Sequence, residues 1–389
     1  MIKVQTMLYA RQWELQPALR YVAEWTTTSR LAGQRAAWQR LAENAIEPNP
    51  FYEPDYLLAS ARHIESGEIR CIAVYRDGAR DSDLIGLFPL SRARLALGLP
   101  LPALEFYRND FVCQTTPLID NADPVGVWNC FFAALERTSD APRKVLASLM
   151  LTSRGAFAAL EEAQQTAGRA MARVEGFSRA AVDFKGSFAS YSAQYSAQRQ
   201  KSTRRKLRKL TSMGHVEMYT VMEAAEKPAA LAEFLRIEAS GWKGQEKTAM
   251  AQSPGSQALA EAVFLSDTAE FDVLSLDGKA IAVMASILSS GVLYTIKTAY
   301  DESYSGVSPG TILDQHQLQR VLDQPDRYSR IDSCATPGNA VEALWREREE
   351  IASLVIATTP ALTQTRVEAS AALLRQIGKL KSWVKEQIA

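Results

Sequence analysis

The 389-residue sequence has few cysteines and histidines and no excess of charge of either sign. Its four cysteines, Cys71, Cys113, Cys130 and Cys334, are far apart and form no C-x-x-C pair. This spacing argues against a disulfide scaffold, a zinc site or thioredoxin-type chemistry. Three histidines are too few for a multi-histidine metal site, so no metal is expected. Lys plus Arg and Asp plus Glu both number 44, which argues against attachment to DNA by bulk charge.

Long apolar runs are also missing. No window approaches the roughly 18 apolar residues that a membrane span needs, and runs such as 281–288 have the length of a strand. Arg11 and Glu14 stand where a signal peptide would have its apolar centre, so we expect a cytoplasmic protein. The apolar fraction of 47% and the charged fraction of 23% are typical of globular proteins, and the length predicts two domains.

The order of predicted elements is similar in the two halves of the chain. Each half has meander strands, then a helix, a strand, a helix and another strand. The meander strands are predicted at 69–76, 83–91 and 103–110 in the first half, and at 270–278, 279–289 and 291–300 in the second. A long polar helix over 187–212 opens the second half. This order predicts one α/β module used twice, as lobes 1–180 and 181–389, with a single large mixed sheet as the alternative.

The segment 294–322 contains the most distinctive helix start. A strand ends at Tyr300, and Ser308-Pro309-Gly310 opens a helix after a loop. Ser308 suits the N-cap and Pro309 the first helical position, where its missing N–H has no helical partner. The amides that would then point outward and attract an anion such as phosphate are those of Gly310, Thr311 and Ile312. The alternative is a well-capped helix without a ligand.

The segment 199–210 has seven basic residues in twelve. On a helix, Lys201, Arg204, Arg205 and Arg208 share one face, opposite two leucines that can pack. The run has no acidic partners at helical spacing. It predicts either a solvated basic face or a site for the phosphates of a coenzyme, a lipid head group or RNA.

Two further segments contain candidates for proton transfer and for the wall of a pocket. Asp332 ends a predicted strand, where it can act as a general base or cap the turn. Cys334 could be a nucleophile only with a base nearby, and His316 is the sole histidine in this region. Trp242 and Lys243 end a helix, where they can line a pocket or be a packed Trp and a solvated Lys.

The first half has one candidate segment for binding a polar substrate. Asn109 and Asp110 lie where a strand gives way to a loop. They can contact a substrate across the cleft between the lobes, or they can form a turn.

Taken together, these segments resemble those of the GNAT-superfamily acyltransferases of the CelD/BcsL type, the cellulose-biosynthesis-associated acetyltransferase group, which in turn resemble Fem-type aminoacyl transferases. The likeness extends from about residue 35 to 357. The matching motifs are Trp38, Asn49-Pro50-Phe51-Tyr52, Tyr56, Lys201-x-x-Arg204-Arg205-x-Leu207-Arg208, Gly241-Trp242-Lys243-Gly244, Tyr300-Asp301, Tyr304, Ser308-Pro309-Gly310, Asp332-Ser333 and Leu344-Trp345.

The resemblance implies an α+β protein of two tandem GNAT-like lobes, each a mixed, largely antiparallel sheet flanked by helices. It implies transfer of an acyl group, generally acetyl from acetyl-CoA or another acyl-CoA, to the amine or hydroxyl of a small metabolite, sugar or amino acid. The coenzyme pyrophosphate would bind at Ser308, Gly310, Thr311 and Ile312, with support from Arg204 and Arg205. Tyr300 and Asp332 would transfer protons or bind the acceptor, and the pocket would be lined by Trp242, Lys243, Asn109 and Asp110.

The phosphate loop departs from the usual GNAT pattern, Gln/Arg-x-x-Gly-x-Gly/Ala. Aligned on Gly310, this chain has Ser305 and Ser308 at the first and fourth positions. Two alternatives therefore stay open: a Fem-type transferase that uses aminoacyl-tRNA, with the basic helix as its contact, and an inactive module that keeps the fold for binding. The sequence leaves the oligomeric state open.

Overall fold

A computed structural model describes residues 21–65, 67–76, 83–94, 100–246 and 248–388 of the protein. The strands in this part of the chain are β1 (Tyr21–Thr27), β2 (Arg70–Arg76), β3 (Leu84–Arg94), β4 (Pro100–Phe106), β5 (Leu118–Ile119), β6 (Lys144–Leu151), β7 (Met171–Val182), β8 (Val216–Val221), β9 (Ala269–Leu276), β10 (Lys279–Ser289), β11 (Val292–Tyr300), β12 (Arg330–Asp332) and β13 (Glu347–Ala357). The helices are α1 (Thr28–Ala32), α2 (Arg35–Asn44), α3 (Pro54–His63), α4 (Pro124–Arg137), α5 (Gly155–Thr166), α6 (Phe188–Ser192), α7 (Ala197–Thr211), α8 (Lys227–Ser240), α9 (Trp242–Gln245), α10 (Pro254–Phe264), α11 (Pro309–Leu322) and α12 (Gln364–Ile388).

The strands form one mixed sheet whose order is nearly symmetric about its centre. The order is β1-β2-β3-β4-β6-β13-β7-β12-β11-β10-β9-β8, and β5 pairs with β3. Neighbours are antiparallel except for β4 with β6 and β11 with β12, one parallel pair on each side. The predicted α+β class is therefore confirmed, and the two predicted arrays join in one large mixed sheet, the arrangement that the sequence left as the alternative.

The two arrays exchange their last strands at the centre of the sheet. β7, which follows the first array in the chain, pairs with β12 of the second array. β13, which follows the second array, pairs with β6 of the first, and β7 and β13 pair with each other over ten residue pairs. The boundary that we predicted near residue 180 falls inside β7. It stays a prediction.

Turn chemistry accounts for the meander of the second lobe. Asp277 and Gly278 have φ values of 51° and 78°, and Ser290 and Gly291 have values of 43° and 81°. Two consecutive residues with positive φ make the tight turn that matches the twist of a hairpin. These two turns join β9 to β10 and β10 to β11, in the meander that the sequence predicted.

The long polar helix expected over 187–212 is divided into α6 and α7. Ser196 has an extended backbone between them, and its hydroxyl accepts a hydrogen bond from the amide of Arg199 at 3.3 Å. An N-cap serine starts a new helix in this way, because it satisfies an amide that has no helical partner. Residues Ala340–Ala343 form a short 3₁₀ turn before β13.

The lobes are joined by packing and by buried polar contacts. On one face of the sheet, α2 and α3 share a hydrophobic core with α8 and α10 of the second lobe. The Tyr294 hydroxyl of β11 donates to the Pro48 carbonyl of the first lobe at 2.7 Å. Arg330 of β12 bridges Glu47 at 2.5 Å and Glu349 at 3.1 Å. These contacts hold the parallel strands of the second lobe in a fixed position against the first.

Candidate functional site

The second lobe has an opening between its two parallel strands. β11 pairs with β12 only from Val292 to Tyr294, whereas β11 continues to Tyr300. Within the described residues no strand pairs with this edge of β11 beyond Tyr294, so the two parallel strands diverge there. We call this opening the β11–β12 gap.

A bulge in β11 marks the point where the gap begins. Ala285 of β10 pairs with Lys297 and Ser286 pairs with Thr295, which leaves Ile296 as the extra residue. Bulges of this kind turn side chains toward sites next to a strand. Lys297, directly after the bulge, is half-buried and its Nζ atom lies 3.0 Å from Oε1 of the buried Glu238.

A groove follows the end of β11 on the side of α8. Its lining includes Glu238, Gly241, Thr298, Tyr300 and Glu302. The predicted residue Tyr300 is 38% exposed, so its side chain stands at the mouth of the gap. Glu238 also accepts a hydrogen bond from the Met250 amide at 2.8 Å, which fixes the carboxylate beside β11.

The start of α11 lies at the open end of the gap. A Cβ on Gly310 would stand 3.6 Å from the Tyr300 ring, so the first turn of the helix adjoins the end of β11. Ser308 is at the N-cap but has a left-handed backbone, φ 53°, and its side chain makes no capping bond, contrary to our expectation. Within the described residues no hydrogen bond satisfies the amides of Gly310 and Thr311, as the sequence predicted. The amide of Ile312 instead donates to the Ser308 carbonyl at 3.2 Å.

A buried polar network holds α11 on the sheet. Gln317 donates to Asp272 at 2.8 Å and to Ser286 at 3.0 Å, and accepts from the Thr295 hydroxyl at 2.7 Å. Arg320 of the same helix makes two bonds to Asp272, at 3.0 and 2.9 Å. Because each buried polar group has a partner, the network fixes the position of the helix start relative to β11.

A buried ion pair occupies the closed end of the gap. Asp332, which is 1% exposed, accepts a bond from Nη2 of Arg179 on β7 at 2.6 Å. Its second oxygen accepts the Cys334 amide at 2.9 Å, and Nη1 of Arg179 donates to the Cys113 carbonyl at 2.7 Å. Both oxygens of the predicted base are therefore engaged, which suits a residue that positions its neighbours.

The thiols of Cys113 and Cys334 meet beside this ion pair. The hydrogen bond from Cys334, with the nearby cations Arg179 and Lys297, lowers the pKa of Cys113 against the opposing effect of burial. Burial and the neighbouring Cys113 raise the pKa of Cys334. The partner of Cys334 is thus a second cysteine. His316 lies on α11 near Asp272 and Arg320, and burial lowers its pKa.

The basic helix predicted from 199–210 is α7, and it packs beside the loop that leads to α11. Leu210 is buried with Ile312 and Leu313, and the Lys209 Nζ atom lies 3.6 Å from where a Cβ on Gly306 would stand. Arg204 and Arg205 are exposed. In the described part of the chain, none of the seven basic side chains of this run makes an ion pair.

The remaining predicted residues are placed as follows. The backbone of Trp242 and Lys243 forms the start of α9, and their side chains lie outside the described part of the structure. Asn109 accepts a bond from the Phe111 amide at 2.9 Å and so shapes a turn, and Asp110 is exposed beside it. This turn puts the ring of Phe111 5.5 Å from the Lys297 Nζ atom. The first lobe thus reaches the gap through Phe111 and Cys113.

Four members of this region were not predicted from the sequence: Arg179, Lys297, Glu238 and Cys113. Arg179 and Lys297 occur in strands with no flanking motif, and Cys113 was considered only for the absence of a C-x-x-C partner. Each side chain belongs to a different segment, so no local spacing connects them. Lys297, the only charged residue of β11, is the one signal that could have been noticed.

Two features are absent from the residues that the structure describes. No helix has the length and apolar character that crossing a membrane requires. No cluster of three or more His, Cys, Asp or Glu side chains is arranged to hold a metal ion.

Comparison with known proteins agrees with this geometry. Residues 197–350 match the acetyltransferase (GNAT) domain family. The C-terminal domain of a protein described as a lysylphosphatidylglycerol synthetase from Agrobacterium fabrum superposes with a TM-score of 0.54 at 12% identity, over 90% of this chain and 96% of that one. FemX superposes with a TM-score of 0.53 at 8% identity, over 83% and 95% of the two chains. A conserved protein of unknown function from Bacteroides thetaiotaomicron gives 0.52 at 11% identity, over 84% and 97%. No curated protein sequence matches the chain.

The second lobe therefore contains the part of the chain that matches the acetyltransferase (GNAT) domain family, and the three structures share the overall fold. The domain match includes α7, the β11–β12 gap and the start of α11. At these identities the three structures show the fold alone. The narrower resemblance to the CelD/BcsL type stays a prediction.

Proposed function

We propose that this protein is an acyltransferase that uses acetyl-CoA or another acyl-CoA as donor and an amine or hydroxyl of a small metabolite, sugar or amino acid as acceptor. The single observation that supports the donor is that the β11–β12 gap leads to the start of α11. There the amides of Gly310 and Thr311 have no partner among the described residues. An extended amide-containing chain that ends in phosphates matches both.

The site residues have the following proposed roles. The amides of Gly310 and Thr311 bind the donor pyrophosphate, with Ser308 beside them and Arg204 and Arg205 adding positive charge from α7. Tyr300 lines the mouth of the gap, and Trp242, Lys243, Asn109 and Asp110 belong to the acceptor side. Asp332 acts through its contacts to Arg179 and Cys334, because both of its oxygens are already engaged. Holding the acceptor against the thioester supplies most of the catalysis in such a site.

Calorimetric titration with acetyl-CoA tests the proposal. We expect micromolar affinity, and a ligand at 100 times its Kd raises apparent stability by about 2.7 kcal/mol in a parallel thermal unfolding experiment. Gly310→Pro removes one amide while proline is tolerated in the first turn of a helix. One lost charge-assisted hydrogen bond predicts roughly 10- to 100-fold weaker binding.

Gly310→Ala is the matched control for this titration. The added Cβ meets the Tyr300 ring at 3.6 Å, an ordinary contact, and the amide remains. Equal affinity in the two variants would remove the helix start from the site. Absence of binding to the wild-type protein would contradict the acyl-CoA donor itself.

A second candidate is an aminoacyl-tRNA-dependent transferase, which the basic surface of α7 favours. Its seven basic side chains make no ion pair in the described part of the chain. A tRNA bound there would displace counterions, so its affinity would fall steeply with salt. Tight tRNA binding that is lost in Arg204→Glu and Arg205→Glu, together with no binding of acetyl-CoA, would favour this candidate. Binding of neither ligand would favour an inactive module.

A further inference from the structure

The outer side of α7 has positive charges that no ion pair in the described part of the chain neutralises. Lys201 and Arg208 are two turns apart on this helix, and both are exposed. At 100° per residue they lie about 160° around the helix from Thr203 and Leu210. Those two residues face α11, because Gln315 donates to the Thr203 hydroxyl at 3.4 Å and Leu210 is buried beside that helix. The cations of the outer side therefore point away from α11.

The carboxylates on the loops next to α7 have other partners. Asp277, beside Gly214, accepts the His215 amide at 2.7 Å, and Asp301 accepts the Ser303 amide at 3.0 Å. The helix itself contains no acidic residue. Cations that stand close together without acidic neighbours repel one another and attract a surface of opposite charge. Charge complementarity therefore selects an anionic partner for this side of α7.

Two exposed methionines adjoin the same side of the molecule. Met213, in the turn that ends α7, is 49% exposed, and Met218 on β8 is 37% exposed. Met218 lies on the same face of the sheet as α7, because Val216 packs with the α7 leucines and the Thr220 hydroxyl bonds to Asp272 beneath α11. In the described part of the chain β8 is the last strand of the sheet, so no further strand covers Met218. Cations and apolar side chains thus occur together here.

A depression of about 630 Å³ borders the outer side of α7. Its lining includes Lys201, Arg204, Arg208 and the partly buried Leu207. This is the volume of a pocket for a small organic group, and its walls offer positive charge beside an aliphatic side chain. A phospholipid presents the matching pair of features, since its phosphate is joined directly to an apolar chain.

The combination of side chains favours lipid over nucleic acid. An RNA would use only the cations of this side, and α7 has no aromatic residue on which bases could stack. A bilayer uses both kinds of side chain, because cations contact the phosphates while apolar groups enter the boundary between head groups and acyl chains. We propose that α7, with Met213 and Met218, docks this protein on the surface of an anionic lipid bilayer. This contact does not depend on the acyl-CoA site, because α7 presents its other side to α11.

Flotation of the purified protein with lipid vesicles tests the docking. We expect binding to vesicles of equal parts phosphatidylcholine and phosphatidylglycerol, and none to vesicles of phosphatidylcholine alone. Each cation near an anionic surface contributes about a factor of 5, so Lys201→Glu with Arg208→Glu should weaken binding about 30-fold or more. Arg137→Glu with Arg143→Glu makes the same change of charge at exposed positions of the first lobe. This matched control should bind like the wild type.

The methionines separate a bilayer from a nucleic acid. Met213→Ser with Met218→Ser should weaken vesicle binding about 5- to 10-fold, because less apolar surface leaves water, and should leave the binding of bulk tRNA unchanged. All the substituted side chains are exposed, so the melting temperatures should stay at the wild-type value. Vesicle binding that does not respond to the methionines, with tighter binding of tRNA, would assign this side of α7 to RNA. Absence of binding to anionic vesicles, or an equal loss in the control pair, would overturn the proposal.

Discussion

Each lobe has one pair of parallel strands that diverge, and the lobes differ in what lies between those strands. In the first lobe, β4 and β6 pair at only two positions, Leu104 with Val145 and Glu105 with Leu146. Beyond them the chain itself occupies the side of β6, because the Thr115 amide donates to the Leu149 carbonyl at 3.1 Å and Thr116 accepts the Leu151 amide at 3.2 Å. In the second lobe the corresponding space, between β11 and β12, is the β11–β12 gap.

The N-termini of the two helices that follow these gaps, α4 and α11, differ in the same way as the gaps do. α4 begins with Asp123, whose carboxylate accepts the Gly126 amide at 2.9 Å and the Tyr21 hydroxyl at 2.8 Å. A carboxylate thus already satisfies the helix start where an anion would bind. At α11 the N-cap is Ser308, which makes no such bond. The comparison shows how one fold yields a lobe whose helix start is capped by a carboxylate and a lobe whose helix start has no side-chain cap.

The largest effect on stability is expected at the ion pair of Arg179 and Asp332, which occupies the closed end of the β11–β12 gap. Asp332→Ala leaves the buried Arg179 without its carboxylate, which we expect to lower the free energy of unfolding by about 3–5 kcal/mol. The first-lobe counterpart, Thr116→Val, removes one acceptor and should cost about 1–3 kcal/mol. Urea unfolding followed by circular dichroism measures both. Equal losses would mean that the gaps are closed by bonds of the same kind.

Two buried carboxyl groups, one in each lobe, have raised pKa values. Their contribution to stability therefore falls as the pH rises, whereas that of an acid with a lowered pKa falls as the pH drops. Burial raises the pKa of Glu53 to about 7 and that of Asp314 to about 7. Both folded values exceed the unfolded ones, so the native state holds these protons more tightly. Their stabilising contribution is present below a pH of about 4 and is lost as the pH rises to about 7. It amounts to roughly 1.4 kcal/mol for each pH unit by which the folded pKa exceeds the unfolded pKa.

Glu53→Gln and Asp314→Asn should therefore flatten the fall in stability between pH 5 and pH 8. Glu53 accepts a bond from Ser289 that partly opposes its shift, whereas burial alone acts on Asp314. Urea midpoints of each variant and the wild type at both pH values give the measurement. A slope unchanged by Asp314→Asn would show that its carboxyl ionises normally in the folded protein.

Giving α11 a carboxylate at its N-cap, as α4 has, tests the comparison directly. Ser308→Asp puts a carboxylate at the N-cap of α11, and Asp tolerates the left-handed backbone found there. Its charge should repel the donor phosphates and weaken acetyl-CoA binding about 10-fold or more. Ser308→Asn, which has the same shape without the charge, should stay within a few-fold of the wild type. Similar affinities for the two variants in calorimetry would place the phosphates elsewhere.

The smallest effect is expected from the reverse change in the first lobe. Asp123→Ala removes the cap of α4 and should lower the free energy of unfolding by about 1 kcal/mol. Acetyl-CoA affinity should not change, because residues 115 and 116 still occupy the space between β4 and β6. A measurable new binding site in this variant would show that only the cap kept the first lobe from binding a donor.

Much of the local structure could be predicted because its causes are local. The Asp277-Gly278 and Ser290-Gly291 turns follow from residues that accept positive φ, and the open amides of Gly310 and Thr311 follow from Ser308-Pro309. The division of α6 from α7 was missed because a single capping residue, Ser196, outweighed a continuous polar pattern. The left-handed backbone of Ser308 was also missed, since Ser-Pro-Gly fits an ordinary cap equally well.

The sequence by itself determined the order of strands and helices, the repeated module and the helix start at Ser308–Gly310, because these depend on periodicity and turn chemistry within a few residues. Only the tertiary structure decided that β7 and β13 cross to the opposite arrays and that residues 115 and 116 fill the first gap. It also brought Arg179, Asp332, Cys113 and Cys334 together from three segments. Such contacts depend on which strands pair over long separations, and that choice is made by burial of the whole sheet rather than by any one segment.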